Sequence, residues 1–266
     1  GRVTGWGQQG PLAQRAGHDI DFMAISGALH GMGDADRPPM PPLNLVGDFG
    51  GGGMLLAFGM ACALIEAQRS GRGQVVDAAM SDGSALLMSM LYGYLAMGRW
   101  KAERGANFLD GSSPFYRCYQ CADGKWLAVG AVETNFYRVL LRRSGLPGAL
   151  LDSQWDEPTW PQTRRLFVET FLTRARDDWC ELLVGVDTCV APVLDMHEAP
   201  AFAHNMARGT FVDIDGVTQP APAPRMSMTP GRAGRIAAPG EHTRAILSDL
   251  GLSDMEIERL QAEGVC

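Results

Sequence analysis

The chain has 266 residues, 46% of them hydrophobic and 20% charged, enough for one large or two modest cores and ordinary for a globular protein. Its formal net charge of −7 argues against general nucleic-acid binding. It leaves room for an anionic small ligand where basic side chains gather, as at Arg69 with Arg72 and at Arg99, Lys101 and Arg104. Six cysteines without framework spacing indicate a reducing compartment, and Cys118-x-x-Cys121 lacks the second pair that a tetrahedral zinc site needs, so no metal is expected. No apolar run reads as long and unbroken enough to span a bilayer, and no signal peptide is evident. The expectation is a cytoplasmic protein with neither a membrane nor a nucleic-acid partner.

In chain order, Arg2–Trp6 reads as the end of a strand, and a helix is expected from near His18 through Met23–Leu29. Gly31–Pro42, with Gly33 and four prolines, reads as an irregular loop. Leu43–Val46 is suited to a strand, Gly47–Gly53 to a turn, and Met54–Arg69 to a buried helix that stops at Gly71-Arg72-Gly73. Val75-Val76 marks another strand, and Ser81-Asp82 can cap a helix over Ala85–Met97. This alternation is α/β wiring, with the beginning of such a sheet missing. The polar, glycine-rich stretch 99–113 reads as a linker. Beyond it, Phe115–Gln120 and Lys125–Val132 flank the hairpin signal Ala122-Asp123-Gly124. Helices are expected at Asn135–Arg143, Thr163–Arg174 and Asp177–Val184, a strand at Ala191–Leu194, and a second hairpin at Asp215-Gly216. Gln219–Arg225, with three prolines, reads as a second linker before two short helices, Glu241–Leu250 and Ser253–Glu263. The expected domains are 1–98 (large, α/β), 114–218 (small, α+β) and 241–266 (helices returning to the large domain), with linkers at 99–113 and 219–240.

The chemistry concentrates on Gly47-Asp48-Phe49-Gly50-Gly51-Gly52-Gly53. A carboxylate on a glycine-lined turn at a helix N-terminus has backbone amides and the positive end of a dipole beside it. That setting can hold a developing anion while the carboxylate moves a proton. The run is neither a Walker loop nor a dinucleotide-binding fingerprint, and taken alone it also fits a flexible loop with an Asp N-cap. Gly47, Phe49, Gly50, Gly51 and Met54, on this turn and just after it, are the candidate substrate-binding residues.

Several motifs follow in order: Thr4-Gly5-Trp6-Gly7-Gln8, Ala16-Gly17-His18-Asp19, Gly47-Asp48-Phe49 and its glycines, Gly71-Arg72-Gly73-Gln74, and Asp123-Gly124-Lys125-Trp126 leading to Gly130-Ala131-Val132-Glu133. Pro222-Ala223-Pro224-Arg225 and Gly240-Glu241-His242-Thr243 complete the set. Together they closely resemble the α-methylacyl-CoA racemases of the class III CoA-transferase family, over essentially the whole chain. The resemblance implies a Rossmann-like large α/β domain, N-terminally incomplete here, plus a smaller α+β domain. Members of the family carry roughly a hundred more residues before the position of Gly1, which supply much of the CoA site.

The resemblance further implies that His18 and Asp48 are the proton-transfer residues and that Glu133 orients or assists His18. It also implies an interlocked homodimer in which Glu133 of one subunit faces His18 and Asp48 of the other. The expected reaction inverts the 2-methyl-bearing α-carbon of a 2-methylacyl-CoA thioester through an enolate, with no cofactor beyond the CoA of the substrate. Two alternatives stand beside it: a CoA-transferase forming an anhydride at Asp48, and an inactive acyl-CoA-binding remnant. Fourteen methionines include Met54, Met80, Met88 and Met90 around the central turn. Methionine suits an apolar surface on which acyl chains slide, and it also fills cores; Met88 and Met90 are expected in the core, with Met54 left open.

Overall fold

The computed structural model describes all 266 residues. By internal contacts the chain divides into two compact units, Gly1–Val193 and Leu194–Cys266. In the first, strand β1 (Arg2–Thr4) pairs in parallel with β2 (Asp77–Ala79), Arg2 opposite Asp77 and Thr4 opposite Ala79. Parallel neighbours need a crossover. It runs through helix α1 (Asp19–Ser26), a π-helix (Leu45–Met54) and helix α2 (Leu55–Ser70), while α3 (Met80–Leu87) and α4 (Ser89–Ala96) follow β2. The mixed α/β architecture is the one expected.

The central segment differs from its expectation. Leu43–Val46 forms no strand, and Gly47–Gly53 is no open turn: the π-helix runs straight into α2 as a single helix, Leu45–Ser70, of 26 residues. The glycines permit this wide winding, in which each amide reaches the carbonyl five residues back. Cβ atoms added to Gly50 and Gly51 would lie 3.2 Å from the carbonyl oxygens of Leu45 and Val46, and one on Gly52 3.3 Å from that of Gly47. By length and composition this helix suffices to cross a membrane, against the expectation that no such run exists. No residue of α2 is buried; Phe58 is 69% exposed and Ile65 58%.

The densest core of this unit lies under a three-stranded antiparallel sheet, β3 (Tyr116–Gln120), β4 (Trp126–Gly130) and β5 (Val190–Val193), in the order β3-β4-β5. Along β4, Leu127 and Val129 point inward and Trp126 outward, the period-2 pattern of a half-buried strand. Helices α5 (Thr134–Ser144), α6 (Trp160–Phe171) and α7 (Arg176–Leu183) cover the inner face. Tyr119, Tyr137, Phe167, Phe171 and Trp179 are essentially inaccessible there. Each contributes roughly 1.5–3 kcal/mol by burial. The rings adjoin one another, with Tyr119 5.4 Å from Phe167 and Phe171 5.3 Å from Trp179.

The stretch 99–113, read as a linker, lies inside this unit and is tied down. The Arg104 guanidinium donates to the carbonyls of His30 (2.9 Å), Asp34 (3.0 Å) and Arg37 (2.7 Å), and Lys101 pairs with Glu157. Two of the three cations grouped there are therefore engaged with the chain itself. The second unit holds α8 (Glu198–Ala201), α9 (Ala203–Arg208), the hairpin β6 (Phe211–Ile214) and β7 (Val217–Pro220), then α10 (Thr243–Asp249) and α11 (Asp254–Ala262). Asp215 and Gly216 turn the hairpin with φ of 54° and 79°, the left-handed pair that a two-residue turn requires. Because β6 and β7 pair only with each other, the sheet of the small α+β part ends at β5, and residues 194–218 group with the terminal helices.

Candidate active site

The position of His18 is prepared by two aromatic rings. Trp6 and Phe22 meet edge to face at 4.7 Å and 85°, and the Trp6 indole Nε1 donates to the Arg15 carbonyl at 3.1 Å. Gly17 lies directly against this pair: an added Cβ would stand 2.7 Å from Phe22 Cε1 and 2.7 Å from Trp6 Cζ2. The chain thus passes over the rings only as glycine. Next, His18 is the N-cap of α1, with φ −130° and ψ 173°. Its carbonyl accepts from the Asp21 and Phe22 amides at 2.9 and 3.2 Å, and its own N–H donates to the Asp21 carboxylate at 3.0 Å. The imidazole is solvent-exposed.

Asp48 sits in the first turn of the π-helix, half-buried, with Asn44 Nδ2 3.5 Å from its carboxylate. What ties its segment to that of His18 is the residue after the histidine. Asp19, 4% exposed, accepts the Asp48 backbone N–H on Oδ2 at 2.7 Å. The same carboxylate fills the space beside Gly47, where an added Cβ would lie 2.7 Å from Oδ2. So His18-Asp19 and Gly47-Asp48, 29 residues apart, are joined main chain to side chain. The sequence by itself assigns Asp19 no such part. An acid in a first helical turn ordinarily serves the dipole, and only Gly47, far off in sequence, hints otherwise.

The glycine run serves packing more than ligand approach. Gly51 and Gly52 are buried. A Cβ on Gly51 would come 2.8 Å from the Ser84 nitrogen of α3, and one on Gly83 would come 2.5 Å from the Gly51 carbonyl carbon. The amides of Gly50–Gly53 are committed within the π-helix and that of Asp48 to Asp19, which leaves Val46 and Gly47 as first-turn amides without intrahelical acceptors. Phe49 and Met54 are 57% and 65% exposed.

Glu133 stands elsewhere, exposed at the N-cap of α5, its carboxylate near Cys189. Burial pushes the Cys189 thiol up, and the negative charges of Glu133 and Asp187 add to the shift. Within one chain, then, the Asp19–Asp48 bond joins the segments of His18 and Asp48, whereas Glu133 lies beside Cys189. Met90 is 53% exposed and Met88 half-buried, so the former is no core residue. Both line an apolar cavity of about 500 Å³ between the end of α1 and α4, along with Met32, Leu87, Tyr92 and Leu95. Leu87 also reaches Gly50, its Cδ1 3.5 Å from where a Cβ would stand, so the cavity adjoins the π-helix. Cys118 is exposed and Cys121 buried.

The sequence model described as CoA-transferase family III matches residues 1–243. Alpha-methylacyl-CoA racemase of Mus musculus is 43% identical over 99% of this chain and 70% of its own length, and that of Homo sapiens 40% identical over the same shares. Succinyl-CoA–D-citramalate CoA-transferase of Chloroflexus aurantiacus is 30% identical over 99% of this chain and 68% of its own. Among solved structures, a CAIB/BAIF family protein from Brucella suis superposes with a TM-score of 0.75 at 24% identity, over 93% of this chain and 66% of that one. The chain belongs to CoA-transferase family III.

Proposed function

We propose that this protein is an isomerase that inverts the α-carbon of 2-methylacyl-CoA thioesters, with His18 and Asp48 as its two proton-transfer groups. The observation that supports the reading is the bond from the Asp48 amide to Asp19, which joins the segment carrying His18 to the segment carrying Asp48. One base takes the Cα–H and the bonding pair moves onto the thioester carbonyl oxygen as an enolate. The conjugate acid of the other then delivers a proton to the opposite face. A histidine and a carboxylate suit this task, whereas two ionised carboxylates would repel. The enolate oxygen is stabilised by the first-turn amides Val46 and Gly47 and the positive end of the helix. The thioester itself acidifies the Cα–H, so the reaction as written calls for no further cofactor.

Phe49 and Met54 offer exposed apolar contact beside Asp48, and with Gly47 and Gly50 they form the near wall of the substrate site; Gly51 supports it from behind. The acyl chain runs past Leu87 into the apolar cavity of Met88 and Met90, whose unbranched side chains adapt to different chains. Glu133 acts from a second subunit, in a dimer that covers the apolar faces of α2 and α4, neither of which buries a residue within the chain. The location proposed is cytoplasmic.

The test is proton NMR of each 2-methylacyl-CoA epimer in D2O. Loss of the α-proton signal from both, with the epimers converging, is expected; His18→Ala and Asp48→Asn should each lower inversion by about 10²–10⁴-fold. The 30% identity to a CoA-transferase supports one rival, anhydride formation at Asp48. That rival gains if Asp48→Asn abolishes CoA transfer to an added carboxylate while His18→Ala leaves it intact.

A further inference from the structure

We infer that Asp19 is a positioning residue that couples the two proton transfers, by fixing the main chain of Asp48 relative to His18. This rests on the proposed reaction and goes beyond it. Three features of Asp19 converge. It is 4% exposed, which for a carboxylate demands compensation. Its Oδ2 makes one short bond, 2.7 Å, to the amide of the other proton-transfer residue, while its Oδ1 is buried without a partner. It also directly follows His18 in the chain, so its side chain is the shortest link between the two catalytic backbones. A carboxylate needed only for folding has better choices; Asp21, two residues on, already closes the first turn by accepting the His18 N–H.

The link has a specific consequence. Removing the α-proton from one epimer needs one base; inverting the centre needs both groups aligned on opposite faces of the same carbon. Displacing Asp48 by a fraction of an ångström therefore leaves proton removal at one face intact while spoiling return to the other. Gly47 belongs to the same device: a Cβ there would push against Asp19 Oδ2 and Cγ, at 2.7 and 3.0 Å.

The experiment compares wild type with Asp19→Ala, Asp19→Asn and Gly47→Ala in the full chain. Each epimer is incubated in D2O, and inverted product is divided by total α-deuterium incorporated. Asp19→Ala and Gly47→Ala are expected to lower this fraction about tenfold, while Asp19→Asn, which keeps an acceptor oxygen, stays within about threefold of wild type. In parallel, hydrogen exchange of the Asp48 amide, read by ¹⁵N NMR, should lose protection in the Ala variant and keep it in the Asn variant. Proportional loss of exchange and inversion, leaving the fraction unchanged, would mark a merely structural carboxylate and overturn the inference. An Asp48 amide equally protected in wild type and Asp19→Ala would overturn it too, whatever the activity. Failure of the wild type to exchange either α-proton bears on the proposed reaction instead, since the amide measurement stands apart from turnover. Should Asp19→Ala not fold, Gly47→Ala carries the same two outcomes.

Discussion

Replacing Gly83 by alanine is the sharpest test of how the site is supported. A Cβ at Gly83 would stand 2.5 Å from the Gly51 carbonyl carbon and 2.6 Å from its Cα, and nearer still to the carbonyl oxygen. These are backbone atoms, so no rotamer relieves the clash. α3 and the π-helix would have to separate by roughly 1 Å to restore ordinary carbon contact. Overpacking of this kind costs about 1–3 kcal/mol, and a backbone-on-backbone clash falls at the upper end. For a unit of 193 residues, Gly1–Val193, a loss of about 3 kcal/mol lowers Tm by roughly 6–12 °C.

Gly93→Ala is the matched control. It lies inside α4, exposed, with nothing within 4 Å of an added Cβ. Alanine is expected to stabilise there by about 0.5–1 kcal/mol through helix propensity. The same substitution, glycine to alanine in a helix, should therefore shift Tm in opposite directions at the two positions. Thermal melts followed by circular dichroism at one protein concentration would show it. A Gly83→Ala melt within about 2 °C of wild type would refute the close approach of α3 to the π-helix, and with it the support proposed for Asp48.

Three further expectations concern other parts of the molecule. Arg104→Ala removes a fork that holds three carbonyls of the 30–37 loop; it should cost about 2 kcal/mol in chemical denaturation, since the bonds are partly solvent-exposed. Lysine should recover little of this, because a single ammonium cannot reproduce the fork, and full recovery would contradict the geometry. Stability should also fall in alkali. Burial pushes the Cys121 thiol up to about 11, above its ordinary value, and raises the Tyr119 and Tyr137 hydroxyls further. These groups stay protonated in the folded state after the unfolded chain has begun to lose their protons. Their contribution is thus complete below about pH 8.5 and declines as pH rises through the folded values. Cys121→Ala should flatten the part of the decline between about pH 9 and 11, measured as urea midpoints across that range. Finally, Leu87→Lys at the wall of the apolar cavity should lower kcat/KM for long-chain 2-methylacyl-CoA about tenfold more than for a short-chain thioester, corresponding to the loss of burial of one aliphatic side chain. An equal effect on both would move the acyl chain elsewhere.

Periodicity and punctuation were enough for most elements. The turn at Ala122-Asp123-Gly124, with Gly124 at φ 81°, joins strands within a residue or two of those expected, and the hairpin at Asp215-Gly216 is equally local. Helices α5, α6 and α7 likewise fall close to the stretches expected for them. Motif order was likewise sufficient for the family, since short motifs in one order survive changes in the residues between them.

What the sequence could not carry was contact between distant segments. A glycine run looks the same whether it lines a ligand or lets a wide helix lie against Gly83, and only the carbonyls five residues back and the facing helix decide. The basic residues of 99–113 read as free charge until three loop carbonyls were seen around Arg104. Asp19 carries no signal of its own, because an acid at a helix N-terminus already has a local reason to be there. Its bond to the Asp48 amide exists only once α1 and the π-helix are packed together, which is a property of tertiary structure. The resemblance carried by the motifs thus points to His18 and Asp48, while the fold alone shows the buried carboxylate that joins their two segments.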